Sequence, residues 1–215
     1  METLLQQFIK AFGWSILNSL WQSAIVYGIL FIVMLGMWMS AYFPLPMPLV
    51  GFGAAVDPLR LANVVARRTL YQCITLTLDG ASVRSSAGVC VTPDCAAADA
   101  MELDAVFVIG PNPLPSSGSE PILRWLRAQA AKGVALGGVD TGSYFLACAG
   151  LLDGYRCCVS WFHHQDFLDR FDAEQMVSDQ LFVIDRNRLT CSGGHGAAHL
   201  AAFLVERHVG QSAAI

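Results

Sequence analysis

The sequence predicts an α/β fold, a three-layer sandwich with a mostly parallel sheet, preceded by an N-terminal transmembrane-like helix. Three observations predict it. Apolar runs of strand length alternate with helical segments from about residue 50 onward. One of those strands runs into a helix through Gly138-Val139-Asp140-Thr141-Gly142, a glycine-flanked turn with the spacing of a nucleophile elbow. Residues 11–56 contain no Asp, Glu, Lys or Arg, which sets the start of the chain apart from the rest.

Within that uncharged block, residues 23–39 are almost wholly apolar, long enough to cross a hydrocarbon core that needs roughly 20 such residues. Trp14 and Trp21 on one side and Trp38 and Tyr42 on the other suit the two interfacial belts, so anchoring in a membrane through residues 14–42 is expected. Pro44, Pro46 and Pro48 then end any helix. The expected division is a hydrophobic region over 1–43, a folded domain over 44–210 facing the cytoplasm, and a short tail over 211–215.

After the prolines, an amphipathic helix is expected over 50–65 and a strand over 71–78, closed by the Asp79-Gly80 turn. A short strand follows at 89–91. Residues 105–109 (Ala-Val-Phe-Val-Ile) form a continuous apolar strand of the kind buried on both faces, with Gly110-Pro111-Asn112-Pro113 as the loop at its carboxyl end. A helix over 121–131 starts on a proline and stops at Gly133. The elbow strand is expected at 134–136 and its helix at 143–149. Residues 181–184 and 189–191 around Asp185-Arg186-Asn187-Arg188 read as a hairpin, and Ser192-Gly193-Gly194 opens a final helix from His195 to about His208. Ligands of such sheets bind at the carboxyl ends of the strands, where Gly110, Asp140 and Trp161 are expected to converge.

Composition narrows the function. A net charge of -4 and a pI near 5.6 give no basic field, so DNA binding by this chain alone is not expected. The seven cysteines form no CxxC pair and read as buried small hydrophobes in a reducing compartment. No cofactor and no resident metal are implied: His195 and His199 stand four apart on a helix, but Gly-Ala-Ala lies between them, without the glutamate a zinc hydrolase needs. His163 and His164 are expected to face solvent at the start of another helix.

The elbow carries an aspartate where a serine or cysteine nucleophile would sit. Three roles for Asp140 are open: a helix N-cap, an anionic contact for a cationic ligand, and a carboxylate nucleophile working with a later histidine such as His195 or His199. The following helix directs its N–H groups at this position and predicts that Asp140 stays an anion. Trp161 is either a core aromatic at a strand end or an aromatic face for a cation. Phe162 is expected to pack in the core, with a ligand wall as the alternative, and Asp57 is expected to sit at the surface near Arg60.

Three segments carry a family resemblance: residues 54–63 (AAVDPLRLAN), 137–156 (GGVDTGSYFLACAGLLDGYR) and 181–194 (LFVIDRNRLTCSGG). Over residues 44–210 the chain resembles the glutamine-amidotransferase-like sensor domain of AraC-type transcriptional regulators, in the PfpI-like superfamily. It is most similar to the branch responsive to glycine betaine, carnitine and related quaternary amines. The resemblance implies a flavodoxin-like, class I glutamine amidotransferase-like fold, homodimerisation, and ligand sensing without turnover. Superfamily enzymes carry a cysteine where this chain has Asp140 and an acidic residue near Gly51. The expected small-molecule pocket is lined by Asp140, Trp161, Gly110, Pro111 and Thr141, with Phe52 either packed in the core or a further wall. The branch's His-Trp-Glu is here Ser160-Trp161-Phe162, its Ser-Gly-Gly-Thr is Ser192-Gly193-Gly194-His195, and the sequence stops at Ile215 before the helix-turn-helix domain. The family's first strand is expected near residues 37–43, which the membrane segment also claims.

Overall fold

Three parallel strands and one antiparallel strand make the sheet that positions the site. The computed structural model describes residues 46–112, 114, 119–171 and 175–210; the expected membrane span at 14–42 and the expected first strand at 37–43 lie outside them. In chain order the described elements are α1 (Leu49–Ala66), β1 (Leu76–Thr77), β2 (Val83–Arg84), β3 (Cys90–Val91), β4 (Cys95–Ala96), β5 (Ala105–Ile109), α2 (Glu120–Ala131), β6 (Ala135–Val139), α3 (Gly142–Cys148), β7 (Cys157–Cys158), a 3₁₀ turn (Trp161–His163), α4 (His164–Leu168), β8 (Met176–Val177), β9 (Phe182–Asp185), β10 (Arg188–Cys191) and α5 (His195–Val209). The main sheet runs β5-β6-β10-β9. β5, β6 and β10 are parallel, and β9 returns antiparallel to β10 through Arg186 and Asn187, with Arg186 at φ 53°.

Alternation along the strands builds a layer on each face. Val106, Val108 and Leu136 join Leu126 of α2 and Leu146 of α3 on one face. Phe107, Ile109, Val139, Leu189 and Cys191 join Ala54 and Ala55 of α1 and Ala197 and Leu200 of α5 on the other. Helices on both sides of a largely parallel sheet give the expected sandwich. Phe107 lies directly over Gly137, its register partner on β6, so that strand glycine makes room for an aromatic ring.

Several expected elements differ. The elbow strand reaches Val139, three residues beyond its expected end, because β6 is paired on both sides and its ladder continues up to the turn. The strand expected over 71–78 is reduced to Leu76–Thr77, since Tyr71 is held by the Asn63 side chain instead: Asn63 Nδ2 donates to the Tyr71 carbonyl at 2.7 Å and Oδ1 accepts from the Leu70 and Tyr71 amides. Helix α1 buries Gly51 and Ala62, yet leaves Val50, Leu61, Val64 and Val65 exposed. It packs on α5 through its small residues, so its large apolar side chains lie away from the sheet. By length and composition it is also the one described helix apolar enough to cross a membrane. Asp57 and Arg60 form an exposed ion pair at 3.5 Å, as their place on this helix predicts.

Candidate functional site

Three loops at the carboxyl ends of β5, β6 and β10 meet around Asp140. The turn after β6 places Asp140 at φ 56°, in the left-handed region that aspartate tolerates better than most residues. Its amide donates to the Cys191 carbonyl of β10 at 3.0 Å. The loop after β5 is tied in by the Gly110 amide, which donates to the Val139 carbonyl at 3.3 Å, and by the Thr141 hydroxyl, which donates to the Pro111 carbonyl. A Cβ on Gly110 would overlap Thr141 and the Gly142 amide, and one on Gly142 would overlap the Val108 carbonyl. Only glycine permits backbones this close. From β10, Gly193 at φ 84° closes against the carboxylate: a Cβ there would lie 2.7 Å from Asp140 Cβ and 3.0 Å from its Oδ2.

Asp140 is half-buried and is not an N-cap; Thr141 occupies that position, and its hydroxyl is committed to Pro111. Desolvation raises the Asp140 carboxyl above its ordinary value, while His163 and a hydrogen bond from the Thr141 amide pull the other way. The expected helix-terminus effect is therefore outweighed, because α3 is only seven residues long and the carboxylate sits among close-packed loops.

The segment after β7 is the candidate second wall. The Ser143 hydroxyl donates to the Cys158 carbonyl at 3.2 Å and the Cys158 amide donates to Thr190 Oγ1 at 2.7 Å, anchoring this segment to α3 and β10. Beyond it the 3₁₀ turn directs Trp161 and Phe162 outward, 75% and 67% exposed, and His163 inward, 4% exposed. The core packing expected for Phe162 does not occur, and Trp161 is an available aromatic face. His163 was expected in solvent and is instead buried within electrostatic reach of Asp140. Its Nδ1 lies 3.2 Å from Asp166 Oδ2. The sequence signal for this was His163 three residues before Asp166 on a helical turn, overshadowed by the adjacent His164.

Of the expected pocket residues, Gly110, Pro111, Asp140 and Thr141 come together directly. Phe52 lies half-buried in the first turn of α1, next to Gly51, whose Cβ position is 3.4 Å from Val139 Cγ1 and 3.9 Å from the Gly194 amide nitrogen. His195 and His199 are both exposed on α5, and among the described residues no group of three or more His, Cys, Asp or Glu is placed to hold a metal. Burial pushes the thiols of Cys157 and Cys191 up to about 11 and that of Cys158 up to about 12, so these three are inert. Cys73 and Cys90 are exposed, against the expectation that the cysteines are core residues.

A model of the DJ-1/PfpI family matches residues 56–207. The chain belongs to the DJ-1/PfpI family. Its relatives within that family include regulators: it is 43% identical over 169 residues to the HTH-type transcriptional regulator GbdR of Pseudomonas aeruginosa, covering 78% of this chain and 46% of that protein. It is 37% identical over 167 residues to the HTH-type transcriptional regulator CdhR of the same species, covering 77% and 49%. The crystal structure of an AraC family transcriptional regulator from Pseudomonas putida superposes with a TM-score of 0.69 at 34% identity, covering 78% of this chain and 90% of that one. The chain thus spans about half the length of the curated relatives it matches. In this DJ-1/PfpI domain the elbow presents a carboxylate and neither a thiol nor a free hydroxyl.

Proposed function

We propose that the domain is a non-catalytic small-molecule sensor of an AraC-type transcriptional regulator, taking a small cationic amine, with quaternary amines such as glycine betaine and carnitine the first candidates. The observation that carries this reading is the elbow itself. Its apex is a half-buried carboxylate gripped by Gly193, and the neighbouring hydroxyl is already used by Pro111. A carboxylate so placed supplies a counter-charge to a cation. Trp161 supplies the aromatic face that a quaternary ammonium, lacking any N–H, requires. Gly110 and Pro111 shape the floor, and Phe52 is a candidate further wall. Homodimerisation, anchoring through residues 14–42, and DNA reading by a segment beyond this chain belong to the same proposal.

The test is the thermal shift of the full chain against glycine betaine, carnitine, choline, dimethylglycine and arginine, because a ligand that binds only the native state raises the melting temperature with concentration. Saturable stabilisation by one amine, lost in Asp140→Asn and reduced about 2- to 30-fold in affinity by Trp161→Ala, is the expected outcome. A melt that no amine moves, or a covalent adduct on Asp140 after rapid quenching with ester substrates, would overturn the sensor reading.

A further inference from the structure

Helix α1 inverts the usual distribution of side-chain size. A helix that only covers a sheet turns its large apolar residues to the core. The buried residues of α1 are Gly51 and Ala62, and Ala54 and Ala55 pack on the core beside Ala197 and Leu200 of α5. Val50, Leu61, Val64 and Val65 lie in solvent instead, the last three 54%, 64% and 63% exposed. These positions follow one line along the helix. Val50, Asp57 and Val64 recur every seven residues, and Leu61 stands four after Asp57 and three before Val64, the spacing of a seam between two helices. Charges flank the apolar part: Asp57 and Arg60 are paired at 3.5 Å with both side chains exposed, and Arg67 and Arg68 are exposed at the turn that ends the helix. Neither of these two arginines meets a carboxylate among the described residues.

We infer that this face docks a second copy of the chain, the two α1 helices lying antiparallel, with Leu61 of each copy against Val64 of the other and Asp57 of each beside the Arg67-Arg68 turn of the other. The inference rests on the homodimerisation proposed above and gives it a surface; it does not depend on which ligand Asp140 takes. A closed dimer needs a self-complementary patch, in which one residue meets a second and the second meets the first. In sequence the midpoint of Leu61 and Val64 is also the midpoint of Asp57 and Arg68. A two-fold axis at that point therefore exchanges the two apolar residues and sets each acidic residue opposite a basic one. Parallel helices would set Asp57 on Asp57 and Arg68 on Arg68. The same charges argue against lipid as the occupant, although α1 is long and apolar enough to cross a bilayer: hydrocarbon on this face would have to take up the mid-helix Asp57 and Arg60. A second copy gives the valines and leucine apolar partners and leaves the charges at a solvated rim.

Exchanging the charges tests the pairing, read as sedimentation of the full chain over a concentration series. The native protein is expected to sediment as a dimer that dissociates on dilution, and Leu61→Lys to raise its dissociation constant roughly tenfold or more. Asp57→Arg and, separately, Arg67→Asp/Arg68→Asp set like charges opposite one another, and each should weaken self-association by roughly tenfold or more. Mixed in equal amounts, these two variants offer each other opposite charges at both ends of the seam, so a heterodimer within about threefold of the native affinity should form. All the altered residues are exposed, and an unchanged melting temperature of each variant checks that the fold is kept. A native dimer that neither charge reversal weakens, as association through residues 1–44 would give, or a pair of variants that do not combine, would overturn the inference while leaving homodimerisation standing. A native chain that stays monomeric, including one whose monomer binds phosphatidylcholine vesicles and loses that binding in Leu61→Lys, would remove homodimerisation and this inference together, with the amine titrations of the Asp140 site untouched by the result.

Discussion

The elbow and the segment from Ser160 to Asp166, the two candidate walls of the proposed site, are built in contrasting ways. The elbow is fixed by backbone: Gly110, Gly142 and Gly193 each stand where a Cβ would strike a neighbouring loop or strand, and the Asp140 amide is bonded across to β10. The 160–166 segment is fixed by one buried side chain, His163, with two large aromatics left outside. The first wall is therefore intolerant of added volume. The second tolerates change everywhere except at the imidazole. On the proposed sensor reading, such a site keeps its charged group in a constant position and varies its selectivity through exposed residues.

Four substitutions test that contrast, from the largest effect to the smallest. Gly142→Val forces a branched side chain into the Val108 carbonyl. A loss of about 3 kcal/mol or more is expected, visible in chemical denaturation as a greatly lowered midpoint or as failure to fold. His163→Ala removes a buried ring and leaves a cavity in its place. About 2–4 kcal/mol is expected by the same measurement, and a loss as small as that of an exposed residue would show that the second wall has no anchor.

Asp140→Asn should act in the opposite direction. Burial raises the carboxyl in the native state, so the native protein holds that proton more readily than the unfolded chain. Stability contributed by this group is full below the unfolded carboxylate value and declines as pH rises through the native one. Asparagine carries no such charge and accepts the left-handed backbone at this position. The variant should therefore be more stable at pH 7, and the gap should close as pH is lowered through the carboxylate range. A gap that is constant with pH would assign the change to backbone preference alone. Trp161→Ala, at a residue 75% exposed, should shift stability by no more than about 0.5 kcal/mol, while on the proposed reading it weakens ligand binding.

Legibility from sequence divided along the same line. The elbow was readable because its restraints are local: a strand, a tight turn flanked by Gly138 and Gly142, and a helix follow one another in the chain, and each has its own residue signal. Gly110 and Pro111 were readable as the loop closing an apolar strand. The hairpin around Arg186 and Asn187 was readable for the same reason. The short pieces at 71–97 were readable only in part: the strand expected at 89–91 is present as Cys90–Val91 and the one expected at 71–78 only as Leu76–Thr77, because this region is held by side chains such as Asn63 and Asp94, whose carboxylate accepts from the Thr75 amide and hydroxyl at 2.7 and 2.8 Å, and not by a periodic pattern. Phe162 and His163 were assigned to the wrong sides because hydrophobicity alone places phenylalanine inside and histidine outside.

The sequence by itself determined the layered α/β architecture, the elbow and the identity of the residue at its apex, since periodicity, glycine placement and the Asp140 substitution are all properties of neighbours along the chain. Only the tertiary structure decided that Asp140 is half-buried against Gly193, that its carboxyl is raised, and that His163 turns inward within electrostatic reach of it. Those depend on where loops after β5, β6, β7 and β10 come to rest, and desolvation is a sum over atoms distant in sequence that no local pattern encodes.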